Sequence, residues 1–233
     1  LLVLAFLVYL LALAFARRGV ALAITLSCAV AIQLVPLGAP LLLSTDAWSY
    51  WAYGWDAAHG GDPYRSPPQP RPENPAVIWM GEAWRDTTTV YGPVFTALSE
   101  PVALAAGSSP DRAAWLWKAL AAAATLAAAA LAALRSARPA FAVAVVGWNP
   151  VLAVHAAGGG HNDALLGALL AAALALGALG RQRAAALAWP LAVFVKWIPI
   201  VLYALAVVAR RRRGERLVTG WEVGAWVALT LGA

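Results

Sequence analysis

The stretch RAAWLWKALAAAATLAAAALAAL, residues 112–134, decides the fold class of this protein. It carries only two charged side chains, Arg112 and Lys118. A helix crosses a bilayer core of about 30 Å with about 20 consecutive apolar residues, and this stretch is long enough to do so. Because backbone amides inside hydrocarbon have to be paired within their own segment, we expect it to be a membrane-spanning helix.

The composition of the whole chain gives the same indication. Apolar residues make up 62% of the 233 residues, charged residues make up 12%, and the mean hydropathy is +0.71. A soluble domain carries about twice this charged fraction. We place the other spans at residues 1–16, 20–43, 139–157, 162–180 and 217–233. The sequence therefore predicts an all-α fold, a polytopic transmembrane helical bundle that forms one domain over residues 1–233.

The basic residues predict how the chain is oriented. Although the net charge is +6, eleven of the 17 basic residues fall in four short clusters between apolar runs, a placement that argues against nucleic acid as the partner. Short Arg-rich loops stay in the cytoplasm. All four clusters share that side if 91–107 enters the membrane without crossing and 184–209 turns back near Pro199, which cannot donate a helical hydrogen bond. The clusters lie at residues 17–18, 135–138, 181–183 and 210–216.

In this topology two loops, 44–90 and 158–163, face the outside. The first holds six acidic residues against three arginines, and five of the twelve tryptophans of the chain. Since tryptophan prefers the level of the lipid headgroups, we expect loop 44–90 to lie along the membrane surface and to carry interfacial helices.

A chemically distinctive motif, STDAWSYWAYG, opens this loop at residues 44–54. Read as a helix, it groups Asp46, Ser49, Tyr50 and Tyr53 on one face. Trp48, Trp51 and Trp55 form a different stripe that would suit lipid. Asp46 would then lie at the depth of a lipid phosphate. In the alternative interpretation, Asp46 only caps the helix.

The second motif is Gly158-Gly159-Gly160-His161-Asn162-Asp163, between two predicted spans. Three glycines let the backbone approach a ligand closely. Asn162 suits the cap of the next helix, whose free amides would attract an anion. His161 and Asp163 are candidate functional side chains. The alternative is a flexible turn with a capping asparagine.

Lys196, in VFVKWIP, is the third candidate, because a lysine inside an apolar stretch is costly and marks a site. Its natural partner is a phosphate or a carboxylate, and the alternative is a side chain that reaches the headgroups. Lys118 and Glu100 are further intramembrane candidates. No P-loop, dinucleotide glycine pattern, HExxH or cysteine metal spacing occurs. His161, Asp163 and Asp46 would supply three ligands for a divalent metal, although their spacing does not require one, so we expect no cofactor.

In their order along the chain these motifs resemble the GT-C membrane glycosyltransferases, in particular the actinobacterial polyprenol-phosphate-mannose-dependent mannosyltransferases. The resemblance covers roughly residues 20–210. Its elements are Thr45-Asp46-x-x-x-Tyr50, Gly61-Asp62-Pro63-Tyr64, Tyr91-Gly92-Pro93, Trp148-Asn149-Pro150, the motif at 158–163, and Lys196-x-x-Pro199.

The resemblance implies a GT-C-like fold with Asp46 as the catalytic base. It places His161 and Asp163 near the acceptor and the donor phosphate, and Lys196 against that phosphate. The remaining candidates for substrate binding are Asn162, Tyr50, Tyr53, Tyr64 and Tyr91. Because the sequence starts at Leu1 inside one apolar run and ends inside another, we expect it to be part of a longer protein.

The predicted function is that of a multi-pass enzyme of the plasma membrane with an extracytoplasmic active site. It would move a sugar, by resemblance mannose, from a polyprenyl-phosphate donor to a glycan or glycolipid acceptor, with membrane lipid as a further partner. A transporter or flippase for a lipid-linked or small polar substrate would also explain Lys196, Glu100 and a broken helix. It has little need for loop 44–90. A non-catalytic subunit of a cell-envelope assembly complex is the third interpretation.

Overall fold

The computed structural model describes residues 2–68, 73–215 and 218–231, and these ranges are helical with no strands. The predicted all-α class is therefore confirmed for the described residues. The α-helices are α1 (Leu2–Ala16), α2 (Leu22–Leu34), α3 (Asp46–Ala58), α4 (Glu82–Arg85), α5 (Pro93–Ala106), α6 (Pro110–Arg135), α7 (Pro139–Gly147), α8 (Asp163–Ala178), α9 (Gln182–Val195), α10 (Pro199–Arg212) and α11 (Gly220–Leu231).

Helix α6 lies at the centre of the bundle and contains the stretch that decides the fold class. Its N-terminus follows the usual capping chemistry. The Ser109 side chain accepts a hydrogen bond of 3.2 Å from the Arg112 amide. By length and composition α6 is the one helix in the described ranges able to cross a membrane, and the other apolar helices are shorter. Small residues line its contact with α8, where Ala121 and Ala124 pack against Ala164.

The predicted span at 20–43 is interrupted. Helix α2 ends at Leu34 and continues as a short 3-10 helix, Val35–Gly38, because Pro36 and Gly38 disfavour a further α-helical turn. The chain is then irregular up to Asp46. Helix α5, within the stretch expected not to cross, has 14 residues. A helix of that size is about 21 Å long, which is less than a bilayer core.

The apolar stretch 184–209 turns back, as the sequence predicts. Helix α9 ends at Val195, and α10 begins at Pro199, whose fixed φ suits the first position of a helix. The ring centroids of Trp189 and Tyr203 lie 5.5 Å apart, so α10 folds back along α9. The two helices form a hairpin with Lys196 at its tip.

The basic clusters gather at one end of the bundle. The Arg17 guanidinium lies 5.9 Å from the ring centroid of Phe141, three residues after Arg138, which brings the first two clusters together. The Arg183 guanidinium lies 4.3 Å from the ring centroid of Trp221, in the helix that follows the fourth cluster. Gln182, Arg210 and Arg213 line one surface cleft. Arg135 ends α6, several helical turns from Trp117, which lies beside the site described below. Arg216 lies outside the described residues.

Helix α3 is buried on most of its surface, so the predicted lipid-facing stripe is wrong for Trp51, which is 0% exposed. Trp51 packs with Ala76 and Met80 of the following loop, which folds over the helix. On another face Gly54 meets α5, where a Cβ would lie 2.3 Å from the Ser99 carbonyl oxygen. The spacing of the tryptophans alone predicts a surface helix, since it contains no information on whether the following loop covers that helix.

Candidate active site

Asp46 is the first residue of α3, and the chain reaches it through a constrained turn. Leu43 has a φ of 63°. This left-handed conformation costs a non-glycine residue about 1 kcal/mol. The Leu42 amide donates to the Gly158 carbonyl at 3.1 Å, which ties this turn to the glycine motif. Thr45, not Asp46, occupies the N-cap position of α3, so the interpretation of Asp46 as a simple cap is not supported.

The Asp46 carboxylate is held by two side chains. Its Oδ2 lies 3.2 Å from Nδ1 of His161 and accepts a hydrogen bond of 3.5 Å from the Tyr50 hydroxyl. The Asp46 side chain is 31% exposed and that of His161 is 7% exposed. The hydrogen bond to His161 lowers the pKa of Asp46 below its ordinary 3.8, against the opposing effect of burial. The carboxylate is therefore ionised at neutral pH and partly open to solvent.

An aromatic wall stands behind this carboxylate. The ring centroid of Tyr50 lies 5.1 Å from Tyr91, 4.8 Å from Phe95 and 5.1 Å from Trp117, each in an edge-to-face arrangement. Burial raises the pKa of Tyr50 well above its ordinary value and also raises the pKa of Tyr91, so both phenols stay protonated. The sequence did not single out Phe95 and Trp117, because aromatic residues in apolar stretches are ordinary core residues.

The glycine motif packs tightly between α3 and α6. Gly160 has a φ of 65°, and a Cβ on it would lie 3.1 Å from the Cβ of Trp117. A Cβ on Gly159 would lie 2.6 Å from Cδ2 of His161. The glycines are therefore required for the close approach that brings His161 to Asp46, and the interpretation as a merely flexible turn is not supported.

The polar side chains of this motif are buried but incompletely bonded. Asn162 occupies the N-cap position of α8 yet makes no side-chain capping bond, so that expectation is wrong in its detail. Within the described ranges, both polar atoms of its side chain and Nε2 of His161 are buried without a hydrogen-bond partner. Such groups are rare in folded proteins and indicate a missing ligand or water. The backbone amide of Asn162, in contrast, donates to the Tyr50 hydroxyl at 3.5 Å.

A single π-helical turn, Leu152–Ala157, precedes the glycines. It contains His155, whose ring centroid lies 4.0 Å from that of His161. Isolated π turns occur often at functional sites, because the extra residue reorients the side chains around it.

Lys196 and Asp163 form an ion pair at the same end of the molecule, with 2.7 Å between Nζ and Oδ1. The side chains are 28% and 53% exposed. The backbone of the lysine segment is anchored by the Tyr91-Gly92-Pro93 motif, since the Gly92 amide donates to the Val195 carbonyl at 3.1 Å. A Cβ on Gly92 would lie 2.1 Å from the Phe194 carbonyl oxygen.

Three of the other polar candidates lie elsewhere. Tyr53 donates from its hydroxyl to the Thr87 carbonyl at 3.2 Å and so braces the loop over α3. Lys118 donates to the Ala39 carbonyl at 2.6 Å and thereby fixes the segment that leads to Asp46. Tyr64 lies in a neighbouring cleft.

The structure does not group the three proposed metal ligands. Asp46 is bound to His161, whereas Asp163 is bound to Lys196. Within residues 2–68, 73–215 and 218–231, no three His, Cys, Asp or Glu side chains are arranged to hold a metal ion.

Comparison with known proteins points to one class of enzyme, the mannosyltransferases. A family model described as "Alpha-(1->6)-mannopyranosyltransferase, N-terminal domain" matches residues 1–212. Two relatives carry the name alpha-(1->6)-mannopyranosyltransferase A. The one from Mycobacterium tuberculosis is 30% identical over 83% of this chain and 40% of its own length. The one from Corynebacterium glutamicum is 30% identical over 62% of this chain and 30% of its own length.

The chain belongs to the alpha-(1->6)-mannopyranosyltransferase family. This confirms the resemblance to actinobacterial mannosyltransferases that the motifs carry. The chain spans less than half the length of these two curated relatives. No solved structure matches it.

Proposed function

We propose that this chain carries the catalytic base of a membrane mannosyltransferase, which transfers mannose from a polyprenyl-phosphate donor to a hydroxyl group of a glycan or glycolipid acceptor. One observation carries the proposal: an ionised, partly exposed carboxylate, Asp46, held by His161 against the aromatic wall. Because the two relatives are named for α-(1→6) transfer, the proposed acceptor group is a 6-hydroxyl.

In the proposed reaction Asp46 removes the proton of the acceptor hydroxyl while the oxygen of that hydroxyl attacks the anomeric carbon of the donor mannose. The bond between that carbon and the phosphate oxygen breaks, and the electron pair leaves with the lipid phosphate. A single displacement inverts the anomeric carbon and needs one base, so the single carboxylate at this position suffices. His161 orients the carboxylate.

Lys196 is the group proposed to meet the negative charge that develops on the departing phosphate. It lies on the hairpin tip at the same end of the bundle as Asp46, and its charge contributes to the lowered pKa of Asp46. The unbonded polar atoms of Asn162 and His161 are proposed to bind the sugar or the phosphate. Tyr50 and Tyr91 would line the same site.

We also propose that the protein is a multi-pass membrane protein with this site on the extracytoplasmic side. The four basic clusters lie at the end of the bundle opposite Asp46, as the positive-inside rule requires of this orientation. In this topology 44–90 is the external catalytic loop and 158–163 is the second external loop. The family match favours transfer over the transporter or flippase alternative.

The test is Asp46→Asn in the full-length protein, assayed in membranes with a radiolabelled polyprenyl-phosphate mannose and a mannan acceptor. We expect transfer to fall by at least about 100-fold, because general bases contribute about 10²–10⁴ to rate. The matched control is Asp86→Asn, an exposed carboxylate of the same loop, which should retain transfer within about twofold. Near-normal transfer by Asp46→Asn at equal protein levels would refute the assignment.

A further inference from the structure

A surface cleft lies near the proposed active site. It is a cleft of about 640 Å³ formed by the end of α3, the Gly61-Asp62-Pro63-Tyr64 turn, α5 and α11. This volume lies within the range of about 300–1,000 Å³ typical of small-molecule sites. The side chains that matter here are Asp62, Tyr64, Thr96, Glu100, Ala228 and Leu229.

The cleft combines hydrogen-bond acceptors with an exposed aromatic ring. Glu100 is the one charged residue of helix α5 and, among the described residues, has no ion-pair or hydrogen-bond partner. Oδ1 of the Asp62 carboxylate accepts a hydrogen bond of 3.0 Å from the Tyr64 backbone amide, and Oδ2 has a loose contact of 3.4 Å with the highly exposed Arg65. The Asp62 side chain is 48% exposed. The residue Tyr64 is 43% exposed, and its hydroxyl forms a hydrogen bond of 2.8 Å with the Thr96 hydroxyl.

This chemistry favours a neutral polyol over an anion. Among the described residues that line the cleft none is a lysine or an arginine, and Arg65, which contacts Asp62, is highly exposed. A phosphate would therefore meet the carboxylate of Glu100 without a compensating cation. Sugar hydroxyl groups, in contrast, donate to carboxylates in charge-assisted hydrogen bonds. The tyrosine ring and the side chains of Ala228 and Leu229 offer apolar contact for the C–H face of a sugar ring.

A chain of short contacts connects the cleft to Asp46. The Thr96 hydroxyl, which holds Tyr64, donates to the Gly92 carbonyl at 3.4 Å. Gly92 follows Tyr91, whose ring lies 5.1 Å from that of Tyr50, and Tyr50 donates to Asp46. The segment 91–93 therefore contacts both the cleft, which Pro93 lines, and Tyr50, which donates to Asp46.

We propose that this cleft binds a neutral sugar residue of the acceptor glycan, with Glu100 and Asp62 accepting its hydroxyl groups and Tyr64 packing on its ring. The inference rests on the proposed function and adds to it the position of the acceptor. It gives Glu100 a role in acceptor specificity.

The experiment compares Glu100→Gln and Tyr64→Ala with the wild type in the full-length protein, with donor and acceptor varied separately. We expect the acceptor KM to rise about tenfold in each variant, since one charge-assisted hydrogen bond or one ring contact is lost, with the donor KM within about twofold. Asp111→Asn, an exposed carboxylate outside the cleft, is the matched control and should change neither KM. An unchanged acceptor KM in Glu100→Gln, or a rise in the donor KM alone, would overturn the proposal.

A binding measurement separates this proposal from the proposed function. Saturation-transfer NMR with α-(1→6)-linked mannobiose and the purified full-length protein should detect binding to the wild type and to Asp46→Asn, and a much weaker signal with Glu100→Gln. If mannobiose binds Glu100→Gln as well as it binds the wild type, the cleft assignment is wrong even where transfer is observed. If the wild type transfers no mannose but this binding pattern holds, the proposed function fails and the sugar site remains.

Discussion

The ionisation of Asp46 depends on its contact with His161. A hydrogen bond from a neighbouring side chain favours the charged form of a carboxylate, and here this effect outweighs the burial that would favour the neutral form. The same contact contributes to stability above the pKa of Asp46 in the unfolded chain. This contribution is lost as the pH falls through the lower pKa of the folded state.

The pH profile of the reaction tests this coupling. In His161→Ala the pKa of Asp46 should rise, so the acid limb of kcat/KM should move to higher pH, because the base is then protonated more easily. His161→Gln keeps an N–H donor and should move the limb less. The measurement is kcat/KM against pH for the three proteins. An acid limb that is the same in all three would show that His161 does not control Asp46.

The sequence predicted the charged residues of this site better than the tyrosines. Asp46, His161, Asp163 and Lys196 can be recognised individually, since a charged or titratable group near a membrane is costly and seldom without a role. The structure brings Asp46 to His161 and Asp163 to Lys196. A tyrosine, in contrast, suits a core, a loop contact or a ligand equally well, and Tyr53 proves to brace a loop.

At the scale of elements, the Tyr91-Gly92-Pro93 motif connects three parts of the site. It begins α5, places Tyr91 against Tyr50, and bonds through Gly92 to the end of α9 just before Lys196. Residues 92 and 195 are far apart in sequence, so this contact could not be derived from spacing. The turn at Pro199, in contrast, could be predicted from the sequence, because proline at that position starts a new helix.

We expect Gly92→Ala to damage the site through sterics alone. Its φ of −75° suits alanine, but the new methyl group would overlap the Phe194 carbonyl and push away the segment that carries Lys196. Displacements of about 1 Å cost up to about 100-fold in rate, so we expect at least about a tenfold loss of transfer. The readout is kcat for transfer in membranes.

Gly167→Ala in α8 is the matched control, because its Cβ would meet no atom within 4 Å. Alanine also favours the helix by about 1 kcal/mol. Transfer by this variant should therefore equal or exceed that of the wild type. Full activity of Gly92→Ala beside an active Gly167→Ala would show that the contact with α9 is dispensable.

At the scale of the whole molecule, hydropathy and charge placement predicted the helical class and the common location of the basic clusters. The burial of α3 under the loop that follows it could not be foreseen, because tryptophans such as Trp51 suit a membrane interface and a protein core equally well. The short helices were also unforeseen. An apolar run such as 20–43 shows no break in hydropathy where the helix ends.

Cysteine labelling tests the proposed orientation. In a full-length protein from which the native cysteines, including Cys28, have been replaced by serine, single cysteines can be placed at Ser66, in loop 44–90, and at Ala137, among the basic clusters. In intact cells a membrane-impermeant maleimide should label the cysteine at position 66 and should reach that at position 137 only after permeabilisation. The reverse pattern would place Asp46 in the cytosol and end the catalytic account.

If Lys196 binds the donor phosphate as proposed, its ion pair with Asp163 has a consequence for how firmly that phosphate is held. The ammonium group of Lys196 already has a carboxylate oxygen at 2.7 Å. A cation neutralised in this way attracts an incoming anion less than a free cation does. In the proposed reaction this moderation helps turnover, since the spent carrier must diffuse away before another can enter. Asp163 would then act as a built-in competitor that takes the lysine back each time the carrier leaves.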